Sequence, residues 1–468
     1  MYCLRGGRLA LAPIACEIAP QAHGTTKAKP RFGGVLSFLV CWPGSSRLTN
    51  NMRLQKYLVG AQLSNYPKGS VMKIESIRLK NFKAFRDVHL KDIPTFLVVV
   101  GANGAGKSTL FDVFGFLHDC LKGNVRQALD KRGRFAEVLS RGCDPKKDTI
   151  LIELQYRMGI TGVERLVTYS LEIGERNGSP VVHKELLRYK RGRYGSPYHF
   201  LSFAEGEGYA ITNEEEFNKT DDELDRETQR VAPDTLAIKG LGQFERFKAA
   251  NAFRSLIENW HVSDFHISAA RGRKDAAGET EHLSETGENL PLVARYLHEQ
   301  HSEIFDRILA TMARRVPGVS SVEPKLMDDG YLTLRFQDGS FKTPFLDRYV
   351  SDGTIKMFAY LVLLHDPKPH PLLCVEEPEN QLYPQLMAEL AEEFRSYANR
   401  GGQVFVSTHS PDFLNALGLD EVCWLVKQQG CTEIQRARDN AQIAAYIAEG
   451  DQLGYLWKQG FFDGVDPQ

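Results

Sequence analysis

The 468-residue chain has no apolar run approaching the roughly 18–20 residues that a membrane-spanning helix needs; the best candidate, Val35 to Trp42, is too short. It lacks paired cysteines as well. The eight cysteines are scattered with no CxxC spacing, which disfavours a zinc site or a disulfide framework and suits a reducing, cytoplasmic setting. A weak apolar stretch at Leu9 to Cys16 makes a poor secretory signal. Net charge is only −1, so bulk electrostatics argue for neither nucleic acid nor membrane. No repeat of about 20–50 residues and no sustained heptad pattern is visible, which excludes a solenoid and a long coiled coil.

The near-zero charge hides an asymmetry. Residues 1–71 hold nine Lys/Arg against one acidic residue, Glu17, which leaves the rest of the chain about −9. This segment is rich in Gly, Pro and Ala and shows no helix or strand period. It reads as a disordered or mis-called upstream segment, with Met72 as the functional start. The competing reading is a basic arm for nucleic acid.

The strongest signal is Gly101-Ala-Asn103-Gly104-Ala-Gly106-Lys107-Ser108, a GxxxxGK[ST] loop. An apolar run, Phe96 to Val100, precedes it, and Thr109 to Leu121 follows with apolar residues at near-helical spacing. Strand, glycine loop and helix form the arrangement that phosphate binding requires. Backbone amides of Gly101, Asn103, Gly104, Gly106 and Thr109 can turn toward phosphate oxygens at a helix N-terminus. Lys107 would reach the β- and γ-phosphates of ATP, and Ser108 would ligate Mg²⁺.

Such a loop needs an acidic partner. His370-Pro-Leu-Leu-Cys-Val-Glu376-Glu377 provides an apolar strand ending in two carboxylates. Glu376 is the candidate Mg²⁺ holder, and Glu377 the candidate base that orients and deprotonates water. Val350-Ser351-Asp-Gly353-Thr354 precedes an apolar helix, with Ser351 or Asp352 as its cap and Gly353 leaving amides open to a phosphate. Gln403-Val-Phe-Val-Ser-Thr-His409 is a buried strand ending in histidine. Ser351 lies 25 residues before Glu376, and His409 lies 32 after Glu377.

This order resembles the ABC-type ATPases: Walker A, signature, Walker B, D-loop, H-loop. Within them the chain resembles the RecF-like and OLD-type ABC ATPases, relatives of the SMC proteins. The motifs that carry this are Leu79-Lys-Asn-Phe82-Lys-Ala-Phe85, Ser351-Asp-Gly-Thr, Glu376-Glu-Pro-Glu379-Asn and Ser407-Thr-His-Ser-Pro411. The resemblance runs from Met72 to the C-terminus, weakly in the middle. The chain departs from it in the D-loop, with Gln381 and Tyr383 where that family often has Gly and His, and no glutamine stands clearly at the Q-loop position. The resemblance implies an ATP-sandwiched homodimer in which Ser351 and Gly353 of one subunit meet the γ-phosphate on the partner's P-loop. It gives His409 the switch role. It also implies action on DNA, in repair or in defence against foreign DNA.

Lys107 and Glu376 are 269 positions apart, so something is inserted between the lobes. The expected fold is α/β, a P-loop NTPase of ABC-ATPase type, with a parallel core sheet, a flanking antiparallel sheet and an inserted arm or lid. The expected boundaries are lobe I at 72–165, the arm at 166–262 and lobe II at 263–468. Two basic stretches, Arg188-Tyr-Lys-Arg-Gly-Arg-Tyr194 and Arg271-Gly-Arg-Lys274, are candidate DNA contacts. A transporter's nucleotide-binding subunit is the alternative from another class; the Ser-Asp-Gly-Thr signature and the insert argue against it. Only 59 residues follow His409, fewer than a Toprim nuclease domain occupies. A regulatory ATPase working with a separate nuclease is therefore the second reading.

Overall fold

The computed structural model describes residues 73–463, apart from 161, 191–195, 215, 217–218, 221–222, 272–273 and 276–279. The expectation for 1–71 lies outside the described residues.

A six-stranded sheet organises the molecule. Its order is His261–Ser263, Leu372–Glu376, Gln403–Thr408, Phe96–Gly101, Val422–Gln428 and Cys431–Arg436. The first five run parallel and only the last pairs antiparallel. Parallel strands covered on both faces read as unbroken apolar runs, and every residue of Phe96–Gly101 is buried. The pleat divides those residues between two cores. Leu97, Val99, Leu372, Cys374, Phe405, Cys423 and Leu425 enter one core. Phe96, Val98, Val100, Leu373, Val375, Val404, Val406 and Trp424 enter the other.

The first core is closed by the helix Lys107–Lys122 and by an eight-stranded antiparallel sheet. That sheet begins with Phe85–Leu90 and Lys73–Phe82. It continues through Ile150–Ile160, Val163–Arg176, Ser179–Tyr189, Tyr198–Ala204, Glu207–Ile211 and Arg226–Arg230. The expected boundary at 165/166 falls inside the strand Val163–Arg176. Residues 166–262 thus supply the outer strands of one continuous sheet, and their helix Lys248–Glu258 sends Phe253 and Ile257 into the same core. The reason is sheet pairing: Val163–Arg176 bonds along its length to Ile150–Ile160 and offers its other edge to Ser179–Tyr189.

The second core is closed by the helices Asp352–Leu364, Met387–Asn399, Leu290–Gln300 and Ser302–Arg315. A small sheet of Lys274–Asp275, Tyr331–Asp338 and Val319–Leu326, with Phe345–Leu346 beside it, lies at this side. The C-terminal aromatics pack on the core: the Phe462 ring lies 5.2 Å from Trp424 and 5.3 Å from Trp457. Apolar residues recur at helical spacing from Thr235 to Trp260, but the segment forms two helices, Ala237–Leu241 and Lys248–Glu258. The helical segment between Leu290 and Val316 breaks at His301 into Leu290–Gln300 and Ser302–Arg315. No helix among the described residues is long and apolar enough to cross a membrane.

Two buried polar groups bind the layers together. The Gln403 amide accepts from Ile74 N–H at 2.8 Å and donates to the Ile74 and Pro94 carbonyls at 2.9 and 3.0 Å, tying the antiparallel sheet to the central one. Glu185 accepts from the amides of Ala237 and Ile238 and from the Tyr169 hydroxyl.

Burial raises the Glu185 carboxyl from 4.5 to about 7, against those three hydrogen bonds, which lower it. Between these values the folded protein holds a proton that the unfolded chain has released. Glu185 therefore stabilises most at low pH, and that contribution declines as pH rises from 4.5 to about 7. Glu185→Gln cannot titrate, so the melting-temperature difference between wild type and variant should change across this window and level off above it. A difference constant across the window would contradict the assignment.

Candidate functional site

The parallel register brings the chemistry to one end of the central sheet. Glu376 pairs with Ser407, and Ser407 pairs with Val99, so three strands finish side by side. Loops at the carboxyl ends of such strands form the usual ligand crevice of an open α/β sheet.

The glycine loop leaves Phe96–Gly101 and enters its helix at Lys107. Gly106 sits at φ 108°, and a Cβ there would lie 3.1 Å from Thr432 Oγ1. Thr432 in turn donates to the Ala105 carbonyl at 2.7 Å. This buried threonine clamps the loop from the last strand of the sheet. Lys107 is buried, and its ammonium donates to the Gly101 carbonyl at 2.9 Å, curled back over the loop. Asn103, Gly104 and Ser108 are exposed, and Thr109 is half-buried behind them.

Ser108 Oγ donates to Glu376 Oε2 at 2.5 Å. Burial raises the Glu376 carboxyl, the Ser108 hydrogen bond partly opposes this, and the neighbouring Glu377, Asp264 and Asp112 raise it further. A hydroxyl and a crowded carboxylate converging in this way fit a divalent cation, which would relieve the repulsion; Ser108 and Glu376 are the residues that would hold it.

Glu377 follows with φ 43°, a left-handed conformation that costs a side-chain-bearing residue roughly 1–2 kcal/mol. Its amide continues the sheet by donating to the Ser407 carbonyl at 2.9 Å. The twist turns its carboxylate toward His409, whose Nδ1 lies 3.5 Å from Glu377 Oε1. Asn380 Nδ2 donates to the other carboxylate oxygen at 3.1 Å. The arrangement can hold a polar molecule between a carboxylate and an imidazole beside the cation site.

Glu379 positions the histidine loop. Its Oε1 accepts from Thr408 Oγ1 at 2.7 Å and from the His409 amide at 2.9 Å. It appears in the sequence as part of a motif with no role of its own, because these partners lie 29 and 30 residues away. Beneath it lies Lys356, buried on the helix Asp352–Leu364, donating to the Asn380 carbonyl at 2.8 Å. Desolvation lowers this ammonium from 10.5 to about 8, and Glu379 and Glu377 partly oppose the shift.

Ser351 caps its helix as expected, accepting from the Thr354 amide at 3.2 Å. Gly353 is held against the loop after the paired carboxylates, where a Cβ would lie 2.6 Å from the Gln381 carbonyl. None of the hydrogen bonds that Ser351 makes reaches the glycine loop. The structure thus gathers Lys107, Ser108, Glu376, Glu377 and His409, while Ser351 and Gly353 adjoin them only through residues 377–381.

The basic stretches behave differently from expectation. Tyr189 is buried and stacks on Phe200 at 3.8 Å, which withdraws its ring from any base, while Arg188 is partly exposed and lies 3.5 Å from Glu153. Arg191 to Tyr194 lie outside the described residues. Arg271 pairs with Asp352 at 2.5 Å and donates to the Val350 carbonyl at 2.5 Å, bracing the start of the Ser351 helix. Gly272 and Arg273 are outside the described residues.

A glycine loop opening a helix, paired carboxylates two strands away and a histidine on the strand between define a P-loop NTPase of the ABC type. The chain belongs to the family described as AAA domain, putative AbiEii toxin, Type IV TA system, whose profile matches residues 96–415. Among solved structures it is similar to an SMC head bound to the C-winged helix domain of ScpA, at 14% identity and TM-score 0.47 over 77% of this chain and 96% of that one. It is similar also to a Pyrococcus furiosus SMC head with an extended coiled coil bound to the C-terminal domain of ScpA. That match has 14% identity and TM-score 0.45, over 81% of this chain and 100% of that one. The SMC head domain from Thermotoga maritima matches at 14% identity and TM-score 0.40, over 78% and 98% of the two chains. No curated protein matches the chain.

Glu379→Ala would leave the Thr408 hydroxyl and the His409 amide without their acceptor. Any ATP turnover by the site should fall about tenfold or more, since the buried Thr408 hydroxyl and the His409 amide both lose a charged acceptor. Nucleotide affinity, set at the glycine loop, should stay within about threefold. Turnover at the wild-type rate would remove Glu379 from the positioning role.

Proposed function

We propose that the protein binds and hydrolyses ATP with Mg²⁺, in composite sites formed by two copies of the chain. The observation that carries this reading is the Ser108–Glu376 contact beside the Glu377–His409 pair at the mouth of the glycine loop. The amides of Gly101, Asn103, Gly104, Gly106 and Thr109 would cradle the phosphates, with Lys107 swinging from the Gly101 carbonyl to the β- and γ-oxygens. Ser108 and Glu376 would hold Mg²⁺, which supplies charge neutralisation at the phosphates when bound. Glu377 orients the attacking water and accepts its proton, and His409 donates toward the γ-phosphate while fixing the Glu377 carboxylate.

The second copy enters because Ser351, at the start of its helix, hydrogen-bonds to Thr354 and Gly353 packs on the Gln381 carbonyl, rather than either meeting the glycine loop of its own chain. A partner's γ-phosphate is a fitting ligand for that helix start. Action on DNA in defence is our reading of the biological role. It rests on the resemblance of the motifs and on a family description that names a putative toxin; that description favours defence over repair.

Glu377→Gln keeps the shape of the side chain and one acceptor for Asn380 but removes the base. It should bind ATP, turn over at least about a hundredfold more slowly, and accumulate as a dimer in ATP and Mg²⁺ by light scattering. Turnover near wild type would sink the assigned role.

Ser351→Arg should spare ATP binding and block dimerisation, since its bulk would enter the interface beside the opposing phosphate. Loss of the helix cap costs about 1 kcal/mol, too little to unfold the chain. Mixed with Lys107→Ala, it leaves one composite site with an intact glycine loop and an intact Ser351 helix, so ATPase activity should partly return. A monomeric Ser351→Arg protein hydrolysing at the wild-type rate would exclude assembly in trans.

A further inference from the structure

At the opposite end of the central sheet, four side chains from three separate segments meet. We infer that His282, Asp366 and His370 form a site for a divalent transition-metal ion, with His261 as its fourth side chain. One ligand atom from each of the first three lies within 4.8 Å of the others. A tetrahedral ion with bonds of about 2.0–2.1 Å needs ligand atoms roughly 3.3 Å apart, so modest side-chain rotation closes the set.

The protonation pattern suits a metal. His370 Nδ1 lies 3.1 Å from the Asn259 carbonyl, an acceptor, so Nδ1 carries the hydrogen and Nε2 keeps its lone pair. That Nε2 is buried and has no partner. His261 is 4% exposed, its Nε2 is likewise buried and unpartnered, and its ring lies 4.9 Å from that of His370. Two orphaned imidazole nitrogens are costly to bury unless a hydrogen-bond partner or a cation satisfies them. His282 Nδ1 contacts Asp366 Oδ2 at 2.6 Å, leaving its Nε2 to face an ion while the carboxylate orients the ring or ligates directly. Burial lowers the His261 imidazole to about 3 and lowers His370 as well, whereas the Asp366 hydrogen bond raises His282, so an ion would have to displace the proton from His282 to bind it as neutral imidazole. Two imidazoles and one carboxylate, with the His261 imidazole beside them, favour zinc, cobalt or nickel over magnesium or calcium.

The surroundings are built rather than loose. Pro367 and Pro369 stiffen the loop between Asp366 and His370. Asp366 Oδ1 accepts from the Lys368 amide at 2.8 Å, and Lys368 Nζ reaches Glu281, beside His282, at 2.7 Å. The His370 amide donates to Tyr397 Oη at 2.7 Å. Asp366 lies two residues beyond the helix that starts at Ser351, and His370 lies two before the strand that ends at Glu376. A bound ion would therefore pin the far ends of the two elements whose near ends carry the Ser351 cap and Glu376. Scattered cysteines pointed away from a zinc site in the sequence. The histidines give no spacing signal either, because the three segments meet only through the fold.

The test uses the full chain, stripped with chelator and titrated with Co²⁺ in the absence of nucleotide. The expected result is the intense visible ligand-field absorption of a four-coordinate ion, saturating at one equivalent per chain and displaced by Zn²⁺. His370→Gln and Asp366→Asn should abolish saturation, His261→Ala should weaken it at least about tenfold, and the exposed His183→Ala should not alter it. Zn²⁺ should raise the melting temperature of the stripped wild type but not of His370→Gln. Far-UV circular dichroism establishes that each variant is folded. Absence of saturable absorption in the wild type, or absorption unchanged in both folded His370→Gln and folded Asp366→Asn, would overturn the site.

Discussion

The register of three parallel strands is the constraint on which the rest depends. Glu376 opposite Ser407, and Ser407 opposite Val99, set the carboxylate, the histidine loop and the glycine loop at one level. A slip of one residue would exchange the faces of every side chain on the slipped strand. It would also move Glu376 by about 3.3 Å, out of reach of Ser108. The register is held by the two cores rather than by the site. Residues alternating between them cannot trade places without setting Phe405 and Val406, or Cys374 and Val375, into spaces shaped for one another.

Residues 377–381 turn that fixed register into a connected site. Glu377 aims at His409, Glu379 holds the histidine loop, and the Asn380 carbonyl receives Lys356 from the Ser351 helix. The Gln381 carbonyl packs on Gly353. Few of these contacts can change alone. A shift of the Ser351 helix moves Lys356 and Gly353 together, and through Asn380 it reaches the Glu377 carboxylate. The left-handed backbone at Glu377 is consistent with this: local strain persists where several surrounding contacts fix the conformation.

How much could be read from the sequence follows from contact range. The glycine loop, the paired carboxylates, the Ser351 cap and the strand before His409 are contiguous, since each needs neighbouring residues to make one turn or one strand end. Thr432, Glu379, Arg271 and Lys356 act on partners far along the chain, and nothing local marks them. The outer strands were obscured for a different reason. Arg226–Arg230 is a polar edge strand with no buried residue, so it shows no apolar alternation. Tyr189 misled because a basic and aromatic stretch looks the same whether its ring faces a base or, as here, stacks on Phe200 in the core. The break between Ala237–Leu241 and Lys248–Glu258 is a tertiary choice, since both pieces carry the apolar spacing of one helix.

The two ends of the central sheet carry different physical burdens. At the carboxyl end, loops must present amides, carboxylates and a histidine to solvent, so Ser108 and His409 stay accessible and the loop residues Asn103 and Gly104 are exposed with them. Stability has to come from elsewhere, and the other end supplies cross-links instead: Gln403 to Ile74 and Pro94, Tyr397 to His370, and the histidine and carboxylate cluster around Asp366. Elements that run from one end to the other, above all Leu372–Glu376 and Asp352–Leu364, are thus anchored where nothing needs to move. Their functional ends can then be strained, polar and responsive to a ligand without loosening the sheet that sets their spacing.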